Sequence, residues 1–221
     1  MTPLTYENVL KNAELKAYIN KGNDILGVLG YTDHSEAHTI KVAETAGLIL
    51  RELSYPERVI EMTKIAGYMH DLGNIVNRDR HALTGAVLAF QILSRMDAPP
   101  EEIADIVSAI GNHDEENGEP VNPMTAALII ADKSDVRRSR VRNSNNLTFD
   151  IHDRVNYAVE SMELLANGRN REITLALGID AMICPVIEYF EIFLARMLMC
   201  KKAAEFLETN FRLTINGAAI L

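Results

Sequence analysis

The chain has little cysteine: Cys184 and Cys200 are the only two in 221 residues, and both fall in helix-patterned sequence. Two cysteines make neither a disulfide framework nor a thiolate zinc site. A reducing, cytoplasmic setting is therefore expected, and any metal must bind through nitrogen and oxygen. Basic residues are outnumbered, 22 Lys and Arg against 31 Asp and Glu, for a formal net charge of −9. A nucleic-acid-binding surface wants a basic face, so a nucleic acid polymer is not the expected partner. No apolar run reaches ~18 residues without a charge, so no membrane span is expected. The N-terminus lacks the basic-then-apolar pattern of a secretory signal. Internal repeats and low-complexity segments are also missing. What is present is a globular mix, 48% hydrophobic and 24% charged, long enough for one large domain or one domain with an appendage.

Periodicity makes most of the chain helical. Residues 5 to about 20 read as a polar opening helix that stops at Gly22. Asp33, with Glu36 three residues on, forms a capping-box pattern for a helix to about Leu53, with Ile40, Ala43, Gly47 and Leu50 on one face. Ser54 opens a second capping box, Ser-Tyr-Pro-Glu, with the proline in the first turn. That helix repeats apolar residues at Val59, Met62, Ala66 and Met69, and Gly73 is its stop signal. After a polar loop, His81 lies in the first turn of a helix with Leu83, Val87 and Phe90 on one face. Pro99-Pro100 breaks the chain, and Ile103, Ile106, Val107 and Ile110 mark a helix whose face continues to His113. An acidic loop leads to Asn122-Pro123, the start of a helix expected to run to about Arg142. Thr148 or Asp150 would cap a further helix with Val155, Val159, Met162 and Leu165 as apolar positions, ending at Gly168. His152-Asp153 in its first turn reads as capping, the aspartate complementing the helix dipole.

The pattern then changes. Residues 172–178 alternate, with Ile173, Leu175 and Leu177 on one side, and predict a strand. A long helix follows, carrying a stripe of Val186, Phe190, Phe193, Met197, Cys200, Ala204 and Leu207. Asn216-Gly217 between two short apolar segments is a hairpin signal. The expected architecture is mostly α: a helical domain over residues 1–168, then a small α+β appendage of strand, long helix and hairpin over residues 169–221. So small an appendage does not bury a long helix alone, so the stripe reads as core or as a homodimer contact.

The chain is organised around residues 67–73, Gly-Tyr-Met-His-Asp-Leu-Gly. The His70-Asp71 dyad arrives at the buried end of a helix, and a buried aspartate needs compensation for its lost hydration. A metal ion supplies it, and the two carboxylate oxygens can bridge two cations. Five of the six histidines occupy comparable places: His38, His70, His81 and His113 at helix ends or inward faces, with His34 one turn before His38. Asp132 interrupts an apolar helix as Asp71 does. One shared explanation is simpler than five separate ones. Lys133, beside Asp132, opens a basic run through Arg137, Arg138, Arg140 and Arg142 that either grips phosphate or forms a solvated face. Asp135 is placed to orient a ligand histidine or a basic side chain.

His38, then His70-Asp71, then Asp132 resembles the H…HD…D signature of the HD-domain superfamily of metal-dependent phosphohydrolases. Further stretches resemble its HD-GYP branch. His81-Ala-Leu-Thr-Gly-Ala is similar to that branch's His-Pro-Glu-Leu-Gly-Ala, and Asn112-His113-Asp114-Glu115-Glu116-Asn117-Gly118 to its His-His-Glu…Asp-Gly run. Ala131-Asp132-Lys133-Ser134-Asp135 is similar to its Ala-Asp…Asp segment. The chain departs from the branch at Asn112, which replaces a histidine, in the short loop between Gly73 and His81, and at Gly118-Glu119-Pro120, where the branch has Gly-Tyr-Pro.

The resemblance implies an HD-domain helical bundle holding one or two divalent cations. Iron or manganese comes first, with zinc, cobalt, magnesium and nickel as the other choices. His38, His70, Asp71 and Asp132 would hold the first ion, and Asp71 would bridge to a second held by His81 and His113. Trinuclear members have a carboxylate where His34 stands and a histidine where Asn112 stands, so two ions are expected here. The implied activity is phosphomonoester or phosphodiester hydrolysis of a small phosphorylated substrate, a nucleotide above all. Asp71 and Lys133 are its catalytic candidates; His34, Lys133 and Arg137 are its substrate-binding candidates. A di-iron HD-type oxygenase and a non-catalytic metal-binding sensor are the alternative readings.

Overall fold

The structure, a computed structural model, describes residues 4–142 and 151–221. Helices dominate. Tyr6–Leu10 (α1) and Ala13–Val28 (α2) are separate, because Asn12 caps α2 by accepting hydrogen bonds from the Glu14 and Leu15 amides. The single opening helix expected over residues 5–20 is thus two helices, and Gly22 lies inside α2. A Cβ there would meet Ile75 and Asn74 at 3.3–3.4 Å, so the residue marks a close approach instead of a stop.

Glu36–Glu52 (α3) begins after Ser35, which makes no capping bond of its own. Asp33 instead accepts from the Ser35 hydroxyl at 2.6 Å, and Glu36 accepts from the Tyr68 hydroxyl at 2.7 Å, so the expected capping box is not formed. The second one fails as well: Ser54 has φ 63°, and Glu57–Met69 (α4) starts behind Pro56. Leu72–Ile75 is a short 3-10 turn, followed by His81–Arg95 (α5) and Pro100–Gly111 (α6). Pro123–Ser134 (α7), capped by Asn122, ends eight residues before the expected Arg142, because Asp135 leaves the helical region at φ −79°, ψ 73°. Residues 138–140 form only a 3-10 turn. Around α7 pack α3, α4 and α6, with α5 against α6.

The outward face of α5 corrects a pattern. Leu83, Val87 and Phe90 are 52%, 58% and 54% exposed, while Ala82, Gly85, Ala86, Ala89, Ile92 and Leu93 face inward. Small residues allow the close packing, so the larger apolar set is left outside.

The helix expected up to Gly168 is a helix only over Ile151–Ala158 (α8); Val159–Asn167 is strand β1. The proposed caps Thr148 and Asp150, and the side chain of His152, lie outside the described residues. β1 pairs antiparallel with Glu172–Ile179 (β2), which pairs parallel with Asn210–Ile215 (β3), and Ala218–Ala219 (β4) closes the edge. Val186–Phe206 (α9) is the crossover that a parallel pair requires. Leu175 sits opposite Leu164 and Leu213. Ile173, Leu175, Leu177, Phe211, Leu213 and Ile215 are buried, and the expected stripe residues Phe193, Met197, Cys200, Ala204 and Leu207 are buried within the chain. Asn216 and Gly217 take φ 51° and 79°, as the expected hairpin turn requires. α9 packs on α7, which brings the C-terminal segment to the residues that follow Asp132. Among the described residues no helix is long and apolar enough to cross a membrane.

Candidate metal centre

Five elements deliver the cluster. His38 lies in the first turn of α3, His70-Asp71 follows α4, His81 opens α5, His113 follows α6, and Asp132 stands in α7. Two glycines set the spacing. A Cβ at Gly67 would lie 2.7 Å from the Ala43 Cα, so glycine lets α3 and α4 approach and sets His38 beside His70. A Cβ at Gly73 would overlap the His81 carbonyl oxygen and stand 2.7 Å from the Gly85 amide, so glycine here lets the start of α5 fold against the dyad.

The ligand atoms converge. Asp71 Oδ2 is 3.3 Å from His70 Nε2 and 3.7 Å from His38 Nε2. Asp71 Oδ1 is 3.6 Å from His81 Nε2. Asp132 Oδ1 lies 3.4 Å from His38 Nε2 and 3.7 Å from His70 Nε2, and the Nε2 atoms of His81 and His113 are 3.3 Å apart. Among the described residues three overlapping groups have metal-ligand spacing: His38, His70 and Asp71; His70, His113 and Asp132; Asp71, His81 and His113.

Each imidazole is held by its other nitrogen. Nδ1 of His38 meets Asp135 Oδ2 at 2.8 Å; that of His70 meets Gly67 O at 2.7 Å; that of His81 meets Arg78 O at 3.1 Å; that of His113 meets Ile110 O at 2.6 Å. All four partners are acceptors, so Nδ1 carries a proton and Nε2 is the nitrogen turned inward, where a cation could take the place of a second proton. His38 Nε2, His70 Nε2 and Asp71 Oδ2 are buried without a hydrogen-bond partner. Buried polar atoms rarely stay unpaired, and two facing imidazole lone pairs repel. A cation satisfies all of them at once, so the residues fit a divalent metal.

The electrostatics agree. Burial would raise the Asp71 carboxyl, but the charge of His70, 3.3 Å away, holds it well below the usual carboxylate range. Asp132 is also held well below that range: burial opposes, and Lys133 Nζ, 2.8 Å away, lowers it most. Burial favours neutral His70, yet Asp71 and Asp132 raise it to about 10. Burial, helped by His70 and His81, lowers His113 to about 3. The carboxylates thus demand positive charge at the point between them.

A cavity of about 390 Å³ opens over this cluster. His34, Asp71, His81, Asp132 and Lys133 line it. His34 Nδ1 meets Thr32 O at 2.7 Å. Arg137 is not brought to the wall: it pairs with Asp135 at 2.5 Å, and Arg140 takes the place on the cavity. Sequence reasoning missed Arg78, Arg196, Phe193, Asp153 and Asn156 on the same wall. A signal existed for Arg196, a charge set between Phe193 and Met197 in an apolar stripe. Asp153 belongs to the second His-Asp pair, which the sequence led us to read as capping, and the structure places it on this wall as well.

Helices pack around a buried imidazole–carboxylate cluster that could hold divalent metal, under a wall that carries Arg78, Lys133, Arg140 and Arg196 together with Asp153. Residues 36–138, just under half of the chain, match the family model described as HD domain. The chain is also similar to "Uncharacterized protein MJ1020" of Methanocaldococcus jannaschii, at 26% identity over 73% of this chain and 71% of the relative.

Proposed function

We propose that the protein hydrolyses a phosphate ester of a small molecule, a nucleotide by preference, at a centre of two divalent cations. The observation that carries this reading is the inward set of orphaned ligand atoms beside Arg78, Lys133, Arg140 and Arg196. A cationic wall over a metal cluster, in a chain of net charge −9, favours an anionic substrate. Bound there, divalent cations supply an acidified water and draw charge from phosphate oxygens. Asp71 would be shared by the two ions, since Oδ2 faces His38 and His70 while Oδ1 faces His81. His38, His70 and Asp132 would complete one site, and His81 and His113 the other. Lys133 is buried and stays charged, because Asp132 and Glu115 outweigh its burial; it would steady a phosphate oxygen. The His34 Nδ1–H held by Thr32 O leaves Nε2 as an acceptor for a water or a substrate hydroxyl. The setting we propose is cytoplasmic.

Anaerobic purification with metal analysis, then a phosphatase and phosphodiesterase panel, tests the proposal. Close to two ions per chain and hydrolysis without oxygen are expected. Oxygen consumption with a substrate, or bound metal with no turnover of any phosphate ester, would replace it with the oxygenase or the sensor.

A further inference from the structure

The wall of the cavity is not built by the HD domain alone. Arg196 reaches it from α9, which lies outside residues 36–138. Its guanidinium is stacked on the Phe193 ring, 4.7 Å from the centroid, which fixes its plane. Glu115 Oε1 is 2.7 Å from Arg196 Nε, yet that buried nitrogen makes no hydrogen bond, so the pair is close but misaligned. The same Oε1 is also 3.4 Å from Lys133 Nζ, so one carboxylate oxygen is shared between two cations. Arg196 borders a second cavity too, with Tyr31, Arg78 and His81, so it stands at a passage from the metal centre outward. Arg140, by contrast, is already used: it donates to Asp33 O at 2.9 Å and to Asp135 O at 2.7 Å. A rigid, incompletely paired arginine at a cavity wall is suited to grip an oxyanion with its planar fork.

We propose that Arg196 forms a second anion subsite, so that the substrate carries another phosphate or a carboxylate besides the phosphate placed at the metal centre. This rests on the phosphohydrolase reading, and it makes the C-terminal appendage part of the substrate site. Glu115 then acts as a placeholder that the second anionic group displaces.

Non-hydrolysable ligands test this by calorimetry on the manganese-loaded full chain. Methylphosphonate has one anionic head. Methylenediphosphonate and propane-1,3-diphosphonate have two phosphonates, and phosphonoacetate pairs a phosphonate with a carboxylate. At least one two-headed ligand should bind at least about tenfold tighter than methylphosphonate, the scale of one charge-assisted pair. Which one gains tells phosphate from carboxylate. Arg196→Ala should erase that gain while methylphosphonate affinity and manganese content hold, and Arg196→Lys should keep part of it. Glu115→Gln, which leaves the arginine in place, should tighten the two-headed ligand. A gain that survives Arg196→Ala, an equal loss for methylphosphonate, or no effect of Glu115→Gln overturns the subsite. Failure of the manganese-loaded parent to bind any of these anions overturns the phosphohydrolase reading itself.

Discussion

Replacing Asp71 by asparagine should empty the metal centre while the helices stay folded. The side chains are isosteric, and Asn74 Nδ2, which donates to Asp71 Oδ1 at 2.8 Å, can donate to an amide oxygen in the same place. The new amide nitrogen then replaces Oδ2. Its N–H groups would point at His70 Nε2 and His38 Nε2, now 3.3 and 3.7 Å from that atom, and block the lone pairs that a cation needs. The shared negative charge is lost as well. With free metal at about 100 times Kd, each bound ion stabilises the fold by ~2.7 kcal/mol, so two give ~5 kcal/mol. At roughly 2–4 °C per kcal/mol for a chain of this size, metal-loaded parent and variant should melt about 10–20 °C apart. The assay is elemental analysis after dialysis, joined to thermal unfolding followed by circular dichroism with and without chelator. Metal should fall from near two per chain toward zero, and the melting gap should largely close in chelator. Near-parent metal content in Asp71→Asn would refute the bridging role.

Gly73→Ala should lower stability by ~1–3 kcal/mol, the usual scale of overpacking, because the new methyl must displace the His81 carbonyl. It should also weaken metal binding, and unchanged metal content would contradict the spacing role of this glycine. Asp135→Asn should weaken metal binding about 10–100-fold, since Asp135 Oδ2 fixes His38 Nδ1 at 2.8 Å; metal titration against a competing chelator measures it, and unchanged affinity would count against the orienting role. Burial pushes the Cys200 thiol up to about 12, so the native thiol should resist a disulfide reagent at pH 8 until the chain unfolds. The unfolded thiol ionises first, near ~8.5, so the stability linked to Cys200 is present below that pH and declines as pH rises toward the folded value. Melting temperatures from pH 7 to pH 10 for the parent and Cys200→Ala should diverge in that direction, and parallel curves would refute it.

Local chemistry let the sequence single out the residues that the structure brings into one cluster. His38, His70, Asp71, His81, His113 and Asp132 each stand where a helix starts, ends or turns an apolar face inward, and periodicity locates such places. The β2 alternation, the α9 stripe and the Asn216-Gly217 turn were legible for the same reason, since each is set by neighbours in sequence. Residues 159–167 were not: Val159, Met162 and Leu165 fit a helical period, and only the pairing of β1 with β2 makes them a strand. Nor was the inner face of α5, where glycine and alanine face the packing contact and Leu83, Val87 and Phe90 remain outside. The basic run after Asp132 looked continuous, but α7 ends at Ser134, so Arg137 turns to Asp135 and Arg140 to the cavity. Arg196 shows the limit most clearly. Its position in α9 sets its face on the helix, while its place beside Lys133 and Glu115 depends on α9 packing across α7. The His70, His81 and His113 rings are held by carbonyls three residues earlier, which the sequence determines, whereas His38 is held by Asp135, 97 residues away. The shape of the wall comes from contacts between segments more than 60 residues apart, which only the packed chain decides.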